Sequence, residues 1–238
     1  MSIRVTTQNP YAPNKAFVPR LENGDRLTRE EFHRRYEAMP ENVKAELVKG
    51  IVYMASPVSV AHGTAHAQIM GFLGMYQMST VGIVSVDNGT YIAGDDYEPQ
   101  PDAVMRIDER FGGNSWVNED GYLEGSPEMV VEIASSSVSY DLHDKLEMYE
   151  KKRVQEYIVW RVLDGQMDWF CLTNDKFRKL LPDDKGLLES RVFPGLRLDL
   201  HAMLHDDPPA IIAALKEGMA SEAYSNFANS LEKRDSRR

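Results

Sequence analysis

Two carboxylates and a lysine stand in an order suited to phosphodiester hydrolysis. Asp102 follows Pro101, Glu132 sits inside the apolar run Met129-Val130-Val131-Glu132-Ile133-Ala134, and Lys145 comes shortly after. A carboxylate within a Val/Ile stretch is a local contradiction, because burying an ionised group is costly unless a partner or a metal compensates. If Asp102 and Glu132 lie on paired strands, their oxygens converge on one hard cation, Mg²⁺ or Mn²⁺, with water and phosphate oxygens completing the shell. The main-chain carbonyl of Ile133 is placed to supply one further oxygen. Such an ion lowers the pKa of bound water and neutralises charge in the pentavalent transition state. A lysine such as Lys145 then orients the water or stabilises the phosphorane as a point charge. Asp141, Lys145 and Tyr149 recur at i, i+4 and i+8, so one helix face carries all three.

Read singly, these residues have plainer meanings. Pro-Asp is a common turn dipeptide, and Lys145 with Asp141 makes an ordinary solvated i,i+4 pair. Glu132 is compatible with facing a helix terminus or an arginine. Other constellations carry less. Ser135-Ser136-Ser137 with His143 and Asp144 lacks the Gly-x-Ser-x-Gly elbow of a serine hydrolase, and serines before a helix read as an N-cap region. His62 and His66 stand at i, i+4 without the glutamate of a zincin motif, which leaves one of them to reach the site from the side. Gly112-Gly113 reads as a turn.

The elements that must position these groups follow from local signals. Residues 1–26, with Asn9-Pro10 and Pro13-Asn14, are aperiodic and read as an arm. Thr28 with Glu31 forms a capping-box pattern opening a helix that stops near Pro40. Ala45–Val48 and Ile51–Met54 flank Lys49-Gly50 as a tight hairpin. Residues from Ser59 to about Met78 have helical spacing. Val81–Val86 and Thr90–Ala93, around Asn88-Gly89, read as a second hairpin, and Asp102–Ile107 as another strand. Residues 108–126 have no period and read as a loop near the site. Glu128–Ala134 is a buried strand, followed by a helix over Asp141–Lys152. Glu156–Leu163, Met167–Thr173 and Phe177–Leu181 form a strand meander, with a further strand near Leu196–Leu198. A C-terminal helix from Pro209 frays into the charged Glu232–Arg238. The sum is an α/β (α+β) chain with one central mixed sheet flanked by helices. It divides into the 1–26 arm, a domain over 27–205, and the helix and charged tail of 206–238.

Composition excludes several classes. The 238 residues include 42% hydrophobic and 27% charged residues, values of a folded globular chain. No window reaches the run of about 18 apolar residues that a membrane helix needs. The N-terminus has no apolar h-region, and Cys171 is the only cysteine, so a cytoplasmic setting without disulfides is the default expectation. The net charge of −10 counts against avid, sequence-independent duplex binding.

The segment Glu46–Met54, with Pro57 and His62 beyond it, resembles the opening motif of the Uma family, widespread bacterial proteins labelled restriction endonucleases. Pro101-Asp102 and Val131-Glu132-Ile133-Ala134-Ser135 resemble its central motifs. Tyr140-Asp141 with Lys145 and Tyr149, and Val154-Gln155-Glu156-Tyr157, are similar to its helix and following strand. The family lies within the PD-(D/E)XK nuclease superfamily. The resemblance implies a restriction-endonuclease-like core, with Asp102 and Glu132 as the metal-binding pair and Glu46 as an accessory carboxylate. The lysine expected two residues after the glutamate is replaced here by Ala134. The family commonly carries it in the next helix, where Lys145 lies.

Two functions follow. The first is a Mg²⁺- or Mn²⁺-dependent DNA endonuclease, with Lys151-Lys152-Arg153 and the 108–126 segment touching substrate. Cutting both strands of a duplex is compatible with a homodimer. The second is a binding or regulatory module that keeps the nuclease fold without catalysis. Acidic charge, the displaced lysine and the lack of a sequence-reading domain favour it.

Overall fold

The computed structural model describes residues 18–40 and 42–235. Thr28 caps α1 (Arg29–Glu37), its hydroxyl accepting the Glu31 N–H at 3.3 Å. Lys49 and Gly50, with φ of 54° and 70°, close the hairpin of β1 (Ala45–Val48) and β2 (Ile51–Met54). Both central turn residues lie in the left-handed region that a two-residue hairpin demands. Residues 18–26, expected as part of an arm, pack on this hairpin. Leu21 is buried beside Phe32 and Leu47, and Arg26 bridges to Ile51. Residues 1–17 of that expectation lie outside the described residues. Ser59 caps α2 (Val60–Ser79) by accepting the His62 N–H at 3.2 Å.

The central strands are β3 (Ile83–Asp87), β5 (Ala103–Ile107), β8 (Met129–Ala134), β9 (Glu156–Arg161), β10 (Gln166–Thr173) and β11 (Lys176–Lys179). Between them in the chain come β4 (Tyr91–Ile92), β6 (Ser115–Val117) and β7 (Leu123–Gly125). The six-stranded sheet has the order β11-β10-β9-β8-β5-β3. Only β8 and β9 run parallel, so the sheet is mixed, as the sequence predicts. Their crossover is a continuous helical stretch: α3 (Val138–Tyr140), a π-helical turn Asp141–Lys145, and α4 (Leu146–Lys151). Strand alternation sorts the core into two layers. Met129, Val131 and Ile133 pack with Ile69, Phe72 and Leu73 of α2. Val130 and Ala134 pack with Met148 and Tyr149 of α4. Glu132 has the parity of Val130 and Ala134 and so belongs to the α4 layer.

Two expectations are corrected. Asn88-Gly89 bends the chain, with Asn88 at φ 50°, but it joins no hairpin. β3 pairs with β5, while β4 joins β7 and β6 in a separate three-stranded sheet. Residues 108–126 are therefore not a bare loop. They carry a 3-10 turn (Glu109–Phe111), β6 and β7, and they leave from the Ile107 end of β5, a strand length away from Asp102. The predicted strand near Leu196–Leu198 is β13 (Arg197–Asp199), paired with the unpredicted β12 (Leu187–Glu189) apart from the central sheet.

The C-terminal tail also differs from expectation. After α5 (Leu200–Leu204) and α6 (Pro208–Met219), the chain forms α7 (Glu222–Asp235). Leu231 of α7 is buried, and Arg234 donates to the Phe111 carbonyl. A Leu231→Ala substitution is expected to cost about 2–5 kcal/mol in urea denaturation, the loss typical of a buried leucine. An α7 that did not pack on the core would show no change. No helix among the described residues is long and apolar enough to cross a membrane.

Candidate active site

The antiparallel register Ala103↔Val131 sets Asp102, just before β5, beside the end of β8 that carries Glu132. Asp102 Oδ2 accepts the Ile133 N–H at 2.6 Å. Its Oδ1 lies 3.2 Å from Nε2 of His62, which α2 brings in from the side. Asp102 holds the His62 imidazole above its ordinary range against the opposing effect of burial, and a backbone hydrogen bond with Ile133 acts in the same direction. His66, one turn on, contacts the Asp102 carbonyl at 2.9 Å and the Asp87 carboxylate at 3.1 Å.

Glu132 and Lys145 are 4% and 3% exposed, and the pair is the buried centre of the site. Lys145 Nζ donates to Glu132 Oε1 at 2.9 Å, and Tyr149 OH donates to the same oxygen at 2.9 Å. Glu46, on β1, lies with Oε2 at 2.9 Å from Lys145, while its Oε1 accepts the Gln100 N–H at 2.9 Å. Asp141 Oδ1 is 3.8 Å from Lys145. Asp141, Lys145 and Tyr149 thus share one face, as the spacing predicts. The π turn widens the helix where two of the three sit; such turns recur at functional sites. Ser137 stands at the N-cap, but its hydroxyl donates to Asp141 Oδ2 at 2.5 Å rather than capping the backbone.

Burial pushes the Glu132 carboxyl well above its ordinary range, with Lys145 pulling the other way and Asp141, Glu46 and Asp102 adding repulsion. Burial likewise pushes Asp141 up to about 6, against Lys145 and Ser137. Burial disfavours the Lys145 ammonium, but Glu132, Glu46 and Asp141 outweigh it and hold the group well above its usual range. Four carboxylates surround one lysine and one histidine. That surplus of negative charge at a half-closed site favours a further cation.

The structure therefore brings together Glu46, Asp102, Glu132, Ile133, Asp141, Lys145, Tyr149 and His62. It does not bring in residues 108–126 or Lys151-Lys152-Arg153. Those three lie at the far end of α4, where Lys151 pairs with Glu147 and Arg153 with Asp175. Tyr140 was missed as a site residue in its own right: its ring lies 5.3 Å from Lys145 Nζ and 4.3 Å from the Tyr53 ring. Its hydroxyl is buried without a hydrogen-bond partner among the described residues. Its place beside Asp141 was the available signal. Gln100 reaches Glu46 through its backbone N–H and His66 reaches the Asp102 carbonyl through Nε2; for Gln100 no sequence signal exists.

Among the described residues no group of three or more His, Cys, Asp or Glu side chains is arranged to hold a metal ion. Asp102 and Glu132 offer two carboxylates, and an ion such as Mg²⁺ commonly takes one or two carboxylates with its remaining ligands from water and phosphate. The all-oxygen donor set and the surplus negative charge fit such an ion.

A mixed sheet flanked by helices, with paired acidic residues where β5 meets β8, defines a restriction-endonuclease-like fold. The chain belongs to the Uma2 family, described as "Putative restriction endonuclease", whose model matches residues 29–201. A similar solved structure is that of "a putative nuclease belonging to DUF820 from Anabaena variabilis ATCC 29413". It superposes with a TM-score of 0.55 at 14% identity, covering 72% of this chain and 97% of that one. At that identity the likeness carries the fold. A search of curated proteins finds no match.

Proposed function

We propose that the protein is a Mg²⁺- or Mn²⁺-dependent endonuclease hydrolysing phosphodiester bonds of DNA. The observation that supports this most is the gathering of Glu46, Glu132 and Asp141 around Lys145, with Asp102 held beside them by His62 and the Ile133 N–H. Asp102, Glu132 and the Ile133 carbonyl are the groups that would hold the ion. Its chemistry, when bound, is to lower the pKa of a water ligand and offset charge on the phosphoryl oxygens. His62 fixes the orientation of Asp102, and Tyr149 that of Glu132. Lys145, kept protonated, supplies a positive point charge for the phosphorane or for aligning the water.

Activity on plasmid and single-stranded DNA with Mg²⁺ or Mn²⁺ is the direct test. Wild type is expected to nick in a chelator-sensitive way, and Asp102→Ala to be inactive. Equal, chelator-insensitive nicking by both would sink the reading.

A second reading, a nuclease-fold module without catalysis, draws on the saturation of Lys145. Its ammonium is enclosed by Glu132, Glu46 and Asp141. This module predicts no carboxylate-dependent Mn²⁺ binding.

A further inference from the structure

A cavity of about 570 Å³ opens at the opposite end of the central strands, where Glu156 begins β9 beside Met129. That size is typical of small-molecule sites. Its wall includes Arg153, Gln155 and Arg191, and its floor includes Glu156. In a chain of net charge −10, two guanidinium groups on one cavity are a local concentration of positive donors.

Arg153 occupies a position that backbone geometry reserves for glycine. It follows α4, where the chain closes the helix with a Val154 N–H to Tyr149 carbonyl bond of 3.0 Å, and it takes φ 60°. A side chain in that conformation is strained, and glycine is the usual occupant. Retaining an arginine there trades backbone ease for a guanidinium at the cavity. Strain of this kind clusters at ligand sites. Arg153 pairs with Asp175 at 2.5 Å, but both side chains are largely exposed, so the pair is worth little and leaves the guanidinium available.

The other donors are free. Gln155 and Arg191 make no side-chain hydrogen bond or ion pair with other described residues. The floor does not oppose an anion strongly. Both Glu156 oxygens are occupied, by Ser190 Oγ at 2.8 Å and Trp169 Nε1 at 3.2 Å on one, and by the Arg191 N–H at 2.6 Å and Cys171 on the other. Burial also pushes this carboxyl upward, toward its neutral form.

We propose that the cavity binds a phosphate-bearing small molecule of nucleotide size, with Arg153 and Arg191 holding the phosphoryl group and Gln155 donating beside them. Paired guanidinium groups match phosphate oxygens in geometry as well as charge. This site is remote from Glu132 and stands whether or not the nuclease assignment holds.

The test is calorimetric titration of the full chain with inorganic phosphate, AMP and a 5′-phosphorylated single-stranded oligonucleotide. Phosphate and AMP are expected to bind, and Arg153→Gly and Arg191→Met each to weaken AMP about tenfold, the value of one charge-assisted hydrogen bond. Arg153→Gly relieves a strained backbone, so its melting temperature stays level or rises and lost binding cannot be ascribed to unfolding. Arg191 holds Glu156 through its main chain, so its side chain can be removed without freeing that carboxylate. Glu132→Gln leaves AMP binding unchanged. Binding that ignores both arginines, binding abolished by Glu132→Gln, or binding of the oligonucleotide alone would each overturn the proposal.

Discussion

Lys145→Met destabilises the protein by about 3–5 kcal/mol, the usual cost of removing one partner from a buried ion pair. Methionine preserves the length and apolar stem of the side chain, so little packing is lost. What disappears is the only ammonium that pairs with Glu132, Glu46 and Asp141 among the described residues. Glu132 is then left in an apolar strand with Tyr149 as its one remaining side-chain donor among the described residues. For a chain of this length such a loss lowers the melting temperature by roughly 6–20 °C. The double variant Lys145→Met/Glu132→Gln removes both charges and leaves Tyr149 an amide oxygen to bond. It is expected to recover more than 1 kcal/mol relative to the sum of the single changes, as contacting residues do in double-mutant cycles. Urea denaturation of the four proteins measures this. Additive losses would mean that Lys145 and Glu132 do not form the buried pair. Neither the single nor the double variant is expected to cleave DNA, which separates the stabilising part of the pair from its chemical part.

How much of this was readable in advance differs from residue to residue. Glu132 was legible because a carboxylate among valines and isoleucines has few innocent explanations. The helix face of Asp141, Lys145 and Tyr149 was legible from its spacing. The burial of Lys145 was not, since the same i,i+4 pattern describes a solvated pair and only the fold of β1 over the strand end closes the site. Glu46 shows that limit most clearly. Between Ala45 and Leu47 it reads as the outward residue of a hairpin strand, and resemblance alone singled it out. Its side chain meets Lys145 through a contact between residues far apart in sequence.

The failures in the fold have a common physical origin. Asn88-Gly89 signals a local turn, and the chain does bend there, but whether the flanking strands pair is decided elsewhere. Here β3 prefers β5, which supplies five paired residues against the two available in β4. Strands as short as Ser115–Val117 and Leu123–Gly125 offer too few residues for alternation to register. In α7 the signal was present and outweighed by charge. Tyr224, Phe227 and Leu231 recur at i, i+3 and i+7 and all pack on the larger core layer, while the charged residues from Glu232 onward suggested fraying where the helix in fact runs on to Asp235.

Asp102→Asn is expected to reduce DNA cleavage by about a thousandfold, and Glu132→Gln by at least as much. Each change removes one unit of negative charge from the proposed ion site while preserving shape. A loss of several kcal/mol in transition-state stabilisation corresponds to that factor, at roughly 1.4 kcal/mol per tenfold. The asparagine can still accept the Ile133 N–H through its carbonyl, so the join between β5 and β8 survives. Melting temperature should therefore move little in Asp102→Asn while activity collapses. Calorimetric titration with Mn²⁺ separates the two functional readings on the same proteins. If the site is catalytic, wild type binds the ion and both variants lose most of that binding. His62→Ala, which frees the other Asp102 oxygen, weakens activity about 10–100-fold, as expected of a residue that orients a ligand rather than acting as one. Mn²⁺ binding that persists unchanged in both carboxylate variants would place the ion elsewhere. No binding in wild type, with no cleavage, would leave the buried quartet as a structural ion network and favour the silent module.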